Sequence, residues 1–192
     1  DITLGLDLLS DILMNPAFDE KEIERERSQT LAGIINQKDD PGAIASNAFS
    51  KILYLKHPYS RPSEGLEGTL PKIKKEDIIN FHRKYYRPNN TIMSVVGNIT
   101  QDEAVSLIEK YFGKWEKAKV SLPKIPSPPK LTNKNVELID KDLTQATIHL
   151  GHIGISRKNP DFYTLIVMNY MLGGGGFSSR LVEDIRDNQG LA

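Results

Sequence analysis

The chain has 192 residues, 39% of them hydrophobic, and its 25 Lys and Arg are balanced by 25 Asp and Glu. Zero net charge excludes a general polyanion binder, which needs a basic surplus on one surface. The absence of cysteine excludes disulfide scaffolds, thiolate metal sites and cysteine nucleophiles, and no apolar run approaches the roughly 20 residues of a membrane span.

Residues 1–14 place Leu4, Leu8, Ile12 and Leu13 on one helical stripe. Asn15-Pro16 ends that helix, because a residue before proline is pushed out of the α region. Asp19-Glu20-Lys21-Glu22 carries the pattern of a capping box. It opens a helix to about Lys38, with Ile23, Leu31, Ile34 and Ile35 turned inward. Asp39-Asp40-Pro41 makes a turn into a third helix through Ile44, Ala48, Ile52 and Leu55. His57 to Leu70 reads as an ordered surface loop, and Lys74 to Tyr86 as a helix with Ile78, Ile79, His82 and Tyr86 on its inner side. Thr91 to Gly97 is short, β-branched and closed by glycine, the signature of a strand. Thr100-Gln101-Asp102-Glu103 is a second capping box, opening a helix to about Phe112.

Pro123, Pro126, Pro128 and Pro129 then mark a stiff linker, placed at residues 123–133. Beyond it, Val136 to Asp140 and Gln145 to Gly151 read as two strands, Asp161 to Leu172 as a helix, Gly173 to Gly176 as a tight loop and Phe177 to Asn188 as a last helix. The fold class expected is α+β on both sides of the linker. The opening Asp1-Ile2-Thr3 and closing Gly190-Leu191-Ala192 give the expectation of an excised piece. Such a piece says nothing of any export signal or compartment.

The histidines are the first candidates for chemistry. His149 and His152 form an HxxH, but on a strand i and i+3 face opposite ways, so they are not expected to share an ion. His82 reads as a half-buried, hydrogen-bonded helix residue and His57 as a turn residue before Pro58. Neither HExxH nor HxxEH occurs. The Gly173–Gly176 run lacks the G-K-[ST] of a phosphate loop, which leaves close approach of another chain or a ligand to its backbone. Ser178 and Ser179 lack a nucleophile elbow and read as donors to nearby backbone. Arg180 and Arg186 lie six apart, about 600° of helix, and point different ways, so at least one is a candidate substrate-facing cation. On an α-helix Phe177, Leu181 and Ile185 form a buried stripe, with Arg186 at its edge.

Several segments in order carry a family resemblance: FDEKEIERER at 18–27, HPYSRP at 57–62, FHRKYYRPNN at 81–90, VVGNI at 95–99, LGGGGFSSRL at 172–181 and IRDNQGLA at 185–192. Together they resemble the insulinase (pitrilysin) family of zinc metallopeptidases, near its mitochondrial processing peptidase-like branch. The resemblance implies two related α/β-sandwich repeats, both incomplete here. Residues 1–122 would be the later part of the first and 134–192 the opening of the second.

Catalytic members carry an HxxEH helix and a third, glutamate ligand seven residues past the second acid of the ERER-like run, here Glu26. Here that ligand position is Gly33, which offers no donor. The resemblance therefore implies the zinc-free type, whose partner subunit or half bears HxxEH and the zinc. This type helps hold peptide or unfolded polypeptide through an arginine–tyrosine pair and a glycine-rich loop. The arginine is Arg186 and its tyrosine would follow Ala192; Gly174, Gly175 and Phe177 are the loop's candidate substrate contacts. The chain alone is expected to be inactive and to hold no metal. Two rivals remain: an active peptidase in which Glu26 or Glu22 replaces the missing ligand, and a purely structural scaffold subunit.

Overall fold

The computed structural model describes residues 2–191. Among the described residues six α-helices are formed: α1 (Ile2–Met14), α2 (Glu20–Asn36), α3 (Pro41–Tyr54), α4 (Lys75–Tyr85), α5 (Gln101–Phe112) and α6 (Phe162–Asn169). By contacts the chain divides into two units, Asp1–Leu150 and Gly151–Ala192.

Local chemistry sets the helix starts in the first unit. The Asp19 carboxylate accepts the Lys21 and Glu22 amides at 2.9 and 3.2 Å and so caps α2. The reciprocal half of the expected box is missing, because the Glu22 side chain instead takes Arg25 Nε at 2.8 Å. Asp40 caps α3 through Gly42 and Ala43, with Pro41 in the first turn where a missing N–H costs nothing. At α5 the box is complete: Thr100 Oγ1 accepts the Glu103 amide and Glu103 Oε2 accepts the Thr100 amide.

These bonds from Thr100, first its hydroxyl and then its amide, hold the Glu103 carboxyl below the usual carboxylate range. A carboxylate depressed in the folded state contributes stability at neutral pH and loses it as pH falls through the folded value. Removing the cap hydroxyl in Thr100→Ala is expected to cost about 1 kcal/mol at neutral pH. The gap between variant and wild type should narrow as pH drops below the ordinary glutamate range, read as urea midpoints against pH.

α1 packs on α5, and the C-terminal end of α1 is tied to α4 by His82, whose Nε2 meets the Leu13 carbonyl at 2.9 Å. The His82 ring stacks on Tyr86 and meets Phe18 edge-on. Arg27 Nη1 donates to the Leu70 carbonyl at 2.7 Å and fastens α2 to the turn Leu70–Lys72. His57 is 5% exposed. Its Nδ1 accepts the Tyr59 amide at 3.1 Å and its Nε2 reaches the Pro126 carbonyl at 2.9 Å, so the loop after α3 holds the Pro-rich segment. Leu53 and Phe112 are the buried apolar residues of this unit.

The strand expectations need correction. Thr91–Gly97, Val136–Asp140 and Gln145–Gly151 run as irregular chain, and no strand is formed among the described residues. β-branched composition favours extended backbone, but a strand exists only when a neighbour accepts its ladder of hydrogen bonds. Here Ile92 and Val96 are each 97% exposed and Leu150 96%, apolar residues with nothing packed over them. Side chains replace a ladder at one place, where Asn89 Nδ2 donates to the Ala118 carbonyl and Asn89 Oδ1 accepts the Ala118 amide. Among the described residues no helix is long and apolar enough to cross a membrane.

In the second unit a hydrogen-bonded turn over residues 156–161 leads into α6. The helix then widens into π-type turns over Tyr170–Gly174, passes a short 3-10 turn at Gly176–Ser178, and resumes as π-type turns over Val182–Asn188.

Candidate functional site

Gly33 lies exposed on α2, and a Cβ added there would meet nothing within 4 Å. The position where the resemblance calls for a glutamate ligand therefore has room for a side chain and lacks one. The two acids proposed as substitutes are engaged elsewhere: Glu22 Oε2 and Glu26 Oε1 both bind Arg25, at 2.8 and 2.6 Å. These pairs, Glu22 foremost, raise the already high Arg25 pKa. Among the described residues no three His, Asp or Glu side chains group to hold a metal ion. Gly33 therefore supplies no zinc ligand to the described residues. A mid-helix glycine with open space around it also carries a backbone cost. Gly33→Ala should raise the stability of the chain by about 0.5–1 kcal/mol, seen as a higher urea midpoint at unchanged slope.

The strand that was to turn His149 and His152 to opposite faces is not formed. His57 and His82 are hydrogen-bonded to backbone, and the His149 ring neighbours Phe49 at 6.1 Å. His152 Nδ1 bonds the Ile153 carbonyl at 2.9 Å.

The glycine loop is built by close approach. The Gly175 amide donates to the Tyr170 carbonyl at 2.8 Å, and a Cβ on Gly175 would lie 2.7 Å from that same oxygen, so only glycine fits. Gly176 has φ +64, the left-handed region that glycine enters without strain. Ser178 Oγ donates to the Gly175 carbonyl at 3.2 Å and Ser179 Oγ to the Gly176 carbonyl at 2.8 Å, the backbone roles expected of both serines.

Phe177 and Arg186 depart from expectation. The stripe Phe177, Leu181 and Ile185 is not buried: Phe177 is 76% exposed and the other two 44% and 38%. The cause is the break at Ser179, which takes Phe177 out of the helical segment altogether. Instead the Arg186 guanidinium carbon lies over the Phe177 ring, 5.2 Å from its centre. A cation over an aromatic face is held electrostatically by the ring quadrupole. Arg186 makes no salt bridge among the described residues, so its five N–H donors stay available. The structure thus gathers Gly175, Phe177 and Arg186 in the second unit, with Gly174 beside them and its absent Cβ facing Asn169 Nδ2 at 3.0 Å.

The Phe177–Arg186 stack was not legible from the sequence. Nine residues on an α-helix are about 900° of rotation, which places the pair on opposite faces. Four glycines, with two serines just past Phe177, are the signal that the helix does not run unbroken.

Residues 72–192 match the family model of the peptidase M16 inactive domain. The chain is 35% identical over 192 residues to the uncharacterized zinc protease YmxG of Bacillus subtilis, spanning 98% of this chain and 45% of that protein. It is 33% identical to an uncharacterized zinc protease of Rickettsia felis, again over 98% of this chain and 45% of the relative. The crystal structure of a peptidase M16 inactive domain from Pseudomonas fluorescens superposes with a TM-score of 0.78 at 28% identity, covering 97% of this chain and 45% of that one. A protease from Helicobacter pylori shares the fold, with a TM-score of 0.75 at 21% identity over 100% of this chain and 47% of that one. The chain thus spans less than half the length of these proteins.

Proposed function

This chain belongs to the peptidase M16 family, by its match to the inactive domain of that family over residues 72–192, and from that premise we propose that it is a non-catalytic part of a peptide-hydrolysing assembly. Its work is to place peptide or unfolded polypeptide for a subunit or half that carries HxxEH and zinc. The observation that carries this reading is Arg186, an exposed guanidinium without a salt bridge among the described residues, resting on Phe177 just after the glycine loop. A planar fork of donors suits a peptide carbonyl or carboxylate better than a point charge does. Gly174 and Gly176 are exposed, and a Cβ on Gly176 would meet nothing within 4 Å, so the loop offers a peptide open backbone at Gly176.

Gly33 supports the non-catalytic part of the reading, since a working zinc needs three protein ligands and an open position. The chain by itself is then without peptidase activity. In this reading the architecture is that of two related α+β repeats, 1–122 and 134–192, joined by the Pro-rich 123–133. The exposed apolar residues of 91–97, 136–140 and 145–151 support sheets completed by neighbouring chain.

The test is metal content and activity of the full-length protein, alone and with its zinc-bearing partner. The expected outcome is no tightly bound stoichiometric zinc and no turnover alone, with peptide hydrolysis only when the partner is present. Tight zinc with turnover abolished by Glu26→Gln would establish the active-peptidase alternative instead.

A further inference from the structure

We propose that Ser179 is a positioning residue whose buried hydroxyl locks the glycine loop and so fixes Phe177 under Arg186. The inference rests on the reading of Arg186 as a substrate-facing cation. Ser179 is 1% exposed, the one fully buried side chain among the described residues, although it follows four glycines in an otherwise open segment. Its Oγ donates to the Gly176 carbonyl at 2.8 Å, and its own amide donates to the same oxygen at 3.0 Å. Its carbonyl accepts the Glu183 amide at 3.0 Å, at the start of the segment that carries Arg186. Phe177 lies inside this clamp, between the residue that supplies the acceptor and the residue that supplies both donors.

A glycine run loses more backbone entropy on ordering than any other sequence, so it needs specific bonds to hold one conformation. Gly176 sits at φ +64, which glycine leaves as readily as it enters. The paired donation from Ser179 holds its carbonyl in place and thereby aims the Phe177 ring. A buried hydroxyl that lost this acceptor would be unsatisfied, which makes the locked geometry the favoured one.

The test uses Ser179→Ala in the full-length protein assembled with its zinc-bearing partner. Three quantities are read: thermal midpoint, amide hydrogen exchange, and kinetics on an unstructured quenched-fluorescent peptide. The expected result is exchange at least about tenfold faster over residues 176–179 while α6 keeps its protection. KM should rise about fivefold with kcat within about twofold, because placement and not chemistry is disturbed. Unchanged loop exchange overturns the proposal, as does a uniform loss of protection across the unit. Faster loop exchange with unchanged KM also overturns it while leaving the substrate reading intact, provided Arg186→Ala still lowers kcat/KM. If Arg186→Ala is silent as well, the reading of Arg186 has failed with it.

Discussion

Arg186→Ala in the intact assembly is expected to lower kcat/KM for peptide hydrolysis at least tenfold, a loss of about 1.4 kcal/mol or more of transition-state stabilisation. The side chain is exposed and lies over the Phe177 ring without an ion pair among the described residues, so its removal leaves no buried group unsatisfied. Folding should stay within about 0.5 kcal/mol of wild type, as for an ordinary surface substitution. The two measurements together separate the roles. A solvated helix charge would leave both stability and turnover unchanged, whereas a guanidinium that binds the peptide loses turnover alone. Arg186→Lys keeps the charge but not the planar fork and is expected to recover only part of the loss. A scaffold subunit would give identical kinetics for all three proteins.

His57→Ala is expected to destabilise the chain by roughly 2–4 kcal/mol, the largest stability effect of any substitution considered. The ring is buried between Tyr54 and Tyr59, with ring centres 5.7 and 4.8 Å away. Both of its nitrogens are used, one accepting the Tyr59 amide and the other meeting the Pro126 carbonyl. Alanine would leave a backbone donor and a backbone acceptor without partners and open a cavity between two tyrosines. Urea unfolding of wild type and variant measures the cost. A change under about 0.5 kcal/mol would show that water takes over both bonds at little cost.

The helices of the first unit could be read directly because their signals are local. Asn15-Pro16 stops α1, Asp19 and Asp40 cap α2 and α3, and the Thr100–Glu103 box opens α5 within a residue of where spacing placed it. The strands could not be, because Thr91–Gly97 carries only a preference, and pairing depends on a neighbour that its own residues do not specify. In the site, Gly176 uses the backbone freedom that the glycine run suggested, and Gly175 the close approach. The stack of Arg186 on Phe177 stayed hidden because an α-helical wheel places the two on opposite faces. Only the interruption at Ser179 and the π-type turns that follow bring them together. His57 read as a turn residue, which it is; its reach across 69 positions to Pro126 has no local signal.

The uncovered apolar residues at Ile92, Val96, Ile148 and Leu150 have a consequence for the chain in solution. Backbone groups outside any ladder, flanked by bare β-branched side chains, are a template on which a second copy can pair, the first step of aggregation. Between these segments lies a counterweight. Lys110, Lys114, Lys117, Lys119, Lys124, Lys130 and Lys134 stand against the single acid Glu116 over residues 110–134. Copies approaching in register would bring these lysines face to face, and like charge placed beside a sticky segment keeps such copies apart. The protection is electrostatic and therefore weakens with ionic strength. The free chain should remain dispersed in dilute buffer and become turbid as salt is raised, the reverse of ordinary salting-in.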